Sequence, residues 1–212
     1  MNLGNLRDRI IREVNRDELT DPVGDDRVAA NSETLDLVIA QAIEYYADSR
    51  FSFNESIVPT FTNGEFLTLP TGMRKIDAII VNDGTRYGLR VRDYVSIQTW
   101  QQNSNIYGRP TDYAVSAGSI RFFPFPRPDI AVTIMGVLDQ QALDYTSDES
   151  QNAWTNEGQD LIVARTKMLL FRDYFRDVDQ AAIAAGAEQQ ALTKLRGYAA
   201  QMLGTGRIRG AW

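Results

Sequence analysis

Residues 75–92, KIDAIIVNDGTRYGLRVR, decide how the chain is to be read. A seven-residue stretch rich in Ile and Val runs into Asp83-Gly84 and out into a second alternating stretch, which is the pattern of two strands joined by a tight turn. The same texture extends in both directions. Residues 57–62 and 66–69 alternate around Asn63-Gly64, and a short helix near residues 93–102 interrupts the series. Residues 113–116 and 119–123 flank Ala117-Gly118, and 130–138 form a last strand. Pro124, Pro126 and Pro128 read as a loop following an edge strand. Residues 51–145 therefore read as a small antiparallel β module.

Helical spacing lies on both sides of it. Leu3, Leu6, Ile10 and Val14 line one face of a helix over residues 2–16, opposite Arg7, Asp8, Arg12 and Glu13, with Asp8 and Arg12 one turn apart. Residues 17–30 read as a loop through Asp21-Pro22, Gly24 and Asp25-Asp26. A second helix is expected from Asn31 or Ser32, either of which can cap it. Between Leu35 and Ala47 its apolar residues, Tyr45 and Tyr46 among them, surround most of the helix. Such a helix is central to its own domain or wedged against a neighbouring subunit.

After a polar linker at 144–153, Asn156 and Gln159 read as a capping box. Leu161, Ala164, Met168, Phe171 and Phe175 then specify a helix of roughly 20 residues. A fourth helix reaches about residue 203, with Leu192, Leu195, Ala199 and Met202 on one side. Gly186 inside it costs ~1 kcal/mol, which points to a kink or a close helix contact. The expected fold is α+β. An N-terminal helix pair (1–50) and a C-terminal linker and helix pair (146–203) form a four-helix bundle-like core, split by the β-rich insertion (51–145) and followed by an extended tail (204–212).

Composition narrows the chemistry. The 212 residues include no cysteine and no histidine, which removes disulfides, thiolate nucleophiles, Zn–S sites and the commonest general base near neutral pH. A net charge of −6 argues against a nucleic-acid-binding surface. Of 22 basic residues only Lys75, Lys167 and Lys194 are lysines, a bias that genomic base composition or interface ion pairing can produce. Residues 1–20 lack the continuous apolar core of a secretory signal, and no run approaches the ~20 apolar residues of a membrane span, so a cytosolic-type protein is expected.

The motif inventory nominates no catalytic, cofactor-binding or metal-ligating residue. Gly204-Thr-Gly206-Arg-Ile-Arg-Gly210 has the wrong spacing for a dinucleotide loop and lacks the flanking strand and helix. Asn54-Glu-Ser56 matches a glycosylation sequon without a secretory signal to use it. Asp77, Asp83, Asp93 and Asp112 are candidate acids, yet Asp83 reads as a turn residue, Asp93 as a helix cap, and Asp112 follows a Gly-x-Pro turn. Residues 144–149 lack the ligand alternation of a calcium loop. Arg86, Arg90 and Arg92, and likewise Arg121 and Arg127, are placed to contact phosphate or to form surface or intersubunit ion pairs. The tail carries Arg207, Ile208, Arg209 and Trp212, residue types enriched at binding hot spots. It reads as a docking segment or as a free terminus with a chance tryptophan.

One resemblance ties these features together. In order, the chain shows an LRDRI helix, Glu44-Tyr-Tyr-Ala-Asp-Ser-Arg50, Phe51-Ser-Phe53, Leu67-Thr-Leu69-Pro70 and a KIDAIIV strand. Gly108-Arg-Pro-Thr-Asp-Tyr113, a hairpin running into Phe123-Pro-Phe-Pro126, a linker and a C-terminal helix pair follow. This layout resembles the head-to-tail adaptor (connector) proteins of tailed bacteriophages. The resemblance implies a virion structural protein of the neck, assembled in the host cytoplasm. It implies a homo-oligomeric ring, usually of twelve copies, beneath the portal protein and in contact with tail proteins. Genomic DNA would pass through without sequence-specific binding, no membrane would be involved, and no cofactor would be needed. Arg207, Ile208, Arg209 and Trp212 would then be the portal-binding tail, and Tyr45, Tyr46, Arg86, Arg90 and Arg92 subunit-interface candidates. A tail-side completion or gatekeeper protein is the structural alternative. A carboxylate-dependent enzyme acting on polysaccharide would need two acids ~5–10 Å apart in a cleft, and the sequence nominates no such pair.

Overall fold

The computed structural model describes residues 1–15, 25–62, 64–102 and 107–202. The chain folds as two compact units, a helical one from Met1–Asn54 and Gln140–Trp212 and a β one from Glu55–Asp139. Among the described residues there are six α-helices and two four-stranded sheets, an α+β protein.

In the helical unit, α1 (Leu3–Val14) begins at Asn2, whose side chain accepts from the Asn5 amide at 3.0 Å, and ends at Asn15 in the left-handed region. It buries Leu3, Leu6, Ile10 and Val14. On its solvent side Arg9 pairs with Glu13 at 2.8 Å, whereas Arg12 donates to the Asp8 carbonyl and not to its carboxylate. Helix α2 (Asp25–Ala47) starts before the expected Asn31 or Ser32, so residues 25–30, read from sequence as loop, are helical. Residues 17–24 of that expected loop lie outside the described residues. Its inner side, Leu35, Val38, Ile39, Ala42 and Tyr46, is buried, while Leu37 and Tyr45 are exposed.

The β unit contributes the short α3 (Tyr94–Gln102), and the chain returns to the helical unit only at Gln140. The stretch read as a polar linker is instead a clasp on α1. Leu3 and Gly4 amides donate to the Ser150 and Asp148 carbonyls at 2.8 and 2.9 Å, and a Cβ on Gly4 would press on Asp148 at 2.9 Å. The capping box sits four residues earlier than expected. Asn152 and Thr155 cap the short α4 (Ala153–Asn156), and α5 (Gln159–Leu169) starts from Gly158, packed so closely that a Cβ would stand 3.0 Å from the Trp154 ring. The expected 20-residue helix is interrupted by a π turn, Leu170–Tyr174, closed by the Phe175 amide on Leu170 at 3.0 Å. Helix α6 (Val178–Met202) follows. A Cβ on Gly186 would meet nothing within 4 Å, so no close helix contact among the described residues accounts for that glycine. Residues of α1, α2, α5, the π turn and α6 share one apolar core with Phe51 and Trp154.

The β unit alternates between its sheets. Strands β1 (Glu55–Phe61), β8 (Ala131–Leu138), β3 (Met73–Asn82) and β4 (Arg86–Gly88) lie side by side in one sheet, all antiparallel. The other sheet runs β2 (Phe66–Thr68), β7 (Ser119–Phe123), β6 (Asp112–Ser116) and β5 (Arg90–Val91). The sheets share a core of Ile79, Val81, Val132 and Ile134 from the first with Leu67, Tyr113, Ile120 and Phe122 from the second.

Strand pairing departs from the sequence reading at three points. Residues around Asn63-Gly64 do not close a hairpin, because β1 pairs with β8 and β2 with β7. The stretch 86–92 is not one strand, because the chain changes sheets at Leu89 and β5 pairs parallel to β6. The other turns behave as read. Asp83-Gly84 joins β3 to β4, and Ala117-Gly118, at φ 48° and 73°, closes a two-residue hairpin between Ser116 and Ser119. The prolines at 124, 126 and 128 follow β7, which is an inner strand and not an edge. An edge does hold a proline, Pro59 in β1.

Candidate functional site

Charge is divided unequally between the units. The β unit has eight acidic and eight basic residues and is neutral, so the whole net charge of −6 belongs to the helical unit. Among the described residues no group of three or more acidic side chains is arranged to hold a metal ion.

Tyr45 and Tyr46, neighbours on α2 with ring centroids 4.9 Å apart, do different work. Tyr46 is buried and donates its hydroxyl to Glu188 of α6, which also takes Arg165 Nη1 at 3.2 Å. Burial first, then the hydrogen bond to Glu188 and its negative charge, push the Tyr46 phenol well above its ordinary range. Tyr45 is exposed, its ring edge-on to Tyr46 and stacked against the Arg165 guanidinium at 3.7 Å. A groove of about 450 Å³ between α2 and α6 opens over this cluster, walled by Tyr45, Ser49, Ala185 and Gln189. Of the two tyrosines only Tyr45 therefore presents its ring to solvent.

The arginines separate in the same way. Arg90 and Arg92 flank the β5–β6 pairing and converge on the buried Asp112, with Nε of each at 3.8 and 2.9 Å from Oδ1. Burial raises the Asp112 carboxyl, and the Thr111 hydroxyl with the Arg92 and Arg90 guanidiniums more than offset it, leaving the group below the usual carboxylate range. Asp112 is thus an ion-pair anchor. Arg86 is in the exposed β4 and does not join that cluster. Arg121 packs under α3, bonded to Gln98, Glu65 and the Tyr94 hydroxyl. Asp93 caps α3 through the Ser96 amide at 2.8 Å. Asp83 accepts from the Thr85 amide in its turn and pairs with Arg109, which stacks on Tyr87 at 3.8 Å. The tail residues Arg207, Ile208, Arg209 and Trp212 lie outside the described residues.

Sequence reasoning missed the Tyr46–Glu188–Arg165 cluster, although a signal existed. Ala181, Ala184, Glu188, Leu192 and Leu195 recur at helical spacing, placing one carboxylate on the apolar stripe of α6. A second cleft, about 530 Å³, lies between α5 and α6 over Leu161, Ala191 and Leu195. Its Asp160 is held by Arg9 at 2.9 Å and Lys194 at 3.5 Å, and the bond from Arg9 lowers its carboxyl below the ordinary value.

A search of curated proteins finds no match. The model of one protein family, described as SU10 adaptor protein, matches residues 1–209. The match runs through both halves of the helical unit and the whole inserted β unit. With nearly its full length matched, the chain belongs to the SU10 adaptor protein family and is a bacteriophage structural protein of the adaptor kind.

Proposed function

We propose that the protein is a head-to-tail adaptor that assembles as a twelve-membered ring beneath the portal, continues the DNA channel and docks tail components. The observation that carries this reading is the family match across residues 1–209. On this reading α1, α2, α5 and α6 make a bundle-like core for each subunit, and Gly204–Trp212 reaches the portal. The physics is compatible with it. A helical unit of net charge −6 repels phosphate, so DNA is guided without being gripped. A neutral β unit is the part that copies bring together with the least mutual repulsion.

The test is electron microscopy of the protein mixed with portal particles. A ring of fixed stoichiometry on the portal is expected. Binding to tail proteins with indifference to portal would make the protein a tail-side component. Deleting residues 204–212 is expected to abolish portal binding while leaving the circular dichroism spectrum unchanged. Undiminished binding by the truncated chain overturns the role of the tail.

A further inference from the structure

The outer face of the β1-β8-β3 sheet has no cover within the described β unit. Val58, Val132, Ile134, Ile79 and Val81 point to the shared core or pack against it, so the alternate residues point away. Register brings those into cross-strand rows. Ile57, Met135 and Ala78 form one, and Pro59, Thr133 and Ile80 the next, with Phe61 beyond them opposite Ala131. No position in these rows is charged. Ile57 and Phe61 remain 60% and 62% exposed. An apolar sheet face of this kind marks an interaction surface. Pro59 has no N–H to offer an incoming strand, so a partner meets the face of the sheet and not its edge.

The opposite side of the same unit carries a matching surface of different shape. Helix α3 lies on the outer face of the other sheet. Ile97 is buried, Trp100 packs on Phe123 at 5.2 Å and Gln98 bonds Arg121. Its nine residues include no charge, in a chain that is 24% charged. Val95 and Thr99, one turn apart, face solvent, and Val95 is 71% exposed. The helix is about 13 Å long, and three strands span about 10 Å between the outer two.

We infer that the β1-β8-β3 face of one copy packs against α3 of the next copy. The inference rests on the adaptor-ring reading. A closed ring with a repeated head-to-tail contact requires two different, complementary patches on each subunit. The β unit presents two uncharged patches on opposite sides, one a flat sheet and one a helix. Because the unit is electrically neutral, its copies approach without the repulsion that the helical unit carries.

The cysteine-free chain allows a direct test. Phe61→Cys and Val95→Cys variants, made singly and mixed on portal particles, are oxidised and run without reductant. A disulfide dimer that forms only when both variants are present is expected, and the double variant is expected to give a ladder of covalent oligomers. Ile57→Cys with Thr99→Cys repeats the measurement at a second pair, with circular dichroism to verify folding. Dimers from Phe61→Cys alone would mean a symmetric sheet-to-sheet contact and overturn the inference. A ring visible by microscopy with neither pair linked overturns this contact and leaves the ring standing. Absence of any ring on the portal overturns the adaptor-ring reading and this contact with it.

Discussion

Arg7 on α1 holds Asp36 on α2 by two parallel bonds, Nε to Oδ1 at 2.7 Å and Nη2 to Oδ2 at 2.6 Å. The same guanidinium also donates to the Tyr145 carbonyl at 2.8 Å and to the Asp148 carboxylate. One side chain thus joins α1, α2 and the clasp at 144–150. Both partners are largely buried, which strengthens a planar, bidentate pair.

Arg7→Lys is therefore expected to destabilise the protein by about 1–2 kcal/mol, because an ammonium cannot reproduce the fork. Arg7→Ala leaves Asp36 unpaired and is expected to cost about 3 kcal/mol or more. Urea unfolding midpoints check both values. An unchanged midpoint for Arg7→Lys would mean that charge alone, and not geometry, holds the junction.

Two glycines are predicted to respond to alanine with opposite sign. A Cβ on Gly136, in the inner strand β8, would stand 2.0 Å from the Lys75 carbonyl oxygen, beside the bulge of β3 between Ile76 and Ala78. Gly136→Ala is expected to cost about 2 kcal/mol or more through forced backbone movement. Gly186→Ala, at an open position in α6, is expected to stabilise the isolated subunit by about 0.5–1 kcal/mol. Thermal unfolding of the two variants in one buffer reads the contrast.

The Asp112 carboxyl gives a pH signature. Its folded value lies below the usual carboxylate value of ~3.9. Its contribution to stability is therefore complete above that value and is lost as pH falls through the lower folded one. Asp112→Asn is expected to be destabilising at pH 7, and the difference from the parent is expected to shrink below about pH 4. A difference that stays constant down to pH 2 would show that the carboxylate charge is not what Arg92 and Arg90 recognise.

Tyr46→Phe removes the hydroxyl from the Glu188 cluster and leaves the Glu188–Arg165 pair one donor short. A cost of about 1–2 kcal/mol is expected from the lost bond to a buried charged group. Tyr45→Phe keeps the ring that stacks on Arg165 and is expected to stay within about 0.5 kcal/mol of the parent. Unfolding midpoints of the two variants decide whether the two adjacent tyrosines are as different as their burial implies.

The elements that were legible in the sequence are those set by local chemistry. The apolar spacing of Leu3, Leu6, Ile10 and Val14 announces α1, Asp83-Gly84 and Ala117-Gly118 announce their turns, and Asp93 announces the start of α3. Each depends on a few adjacent residues, so each can be read without knowing the rest. The resemblance to phage adaptors was legible for the same reason, since it rests on the order of such short segments. Candidate interface residues were harder to sort. Arg90 and Arg92 are one residue type in one strand pattern with Arg86, and only the position of Asp112 across a parallel pairing separates them.

Strand partnership belongs to the tertiary structure. Nothing near Asn63-Gly64 reveals that β1 joins β8 at least 70 positions away, because that pairing is selected by which apolar faces are buried together. The same holds for the clasp on α1, which looks polar and unattached until Arg7 and Gly4 meet Asp148. Short-range periodicity and turn chemistry are properties of neighbouring residues and are written in the chain. Pairing, burial and the division of Tyr45 from Tyr46 depend on distant segments packing against one another, and they exist only once the chain has closed its cores.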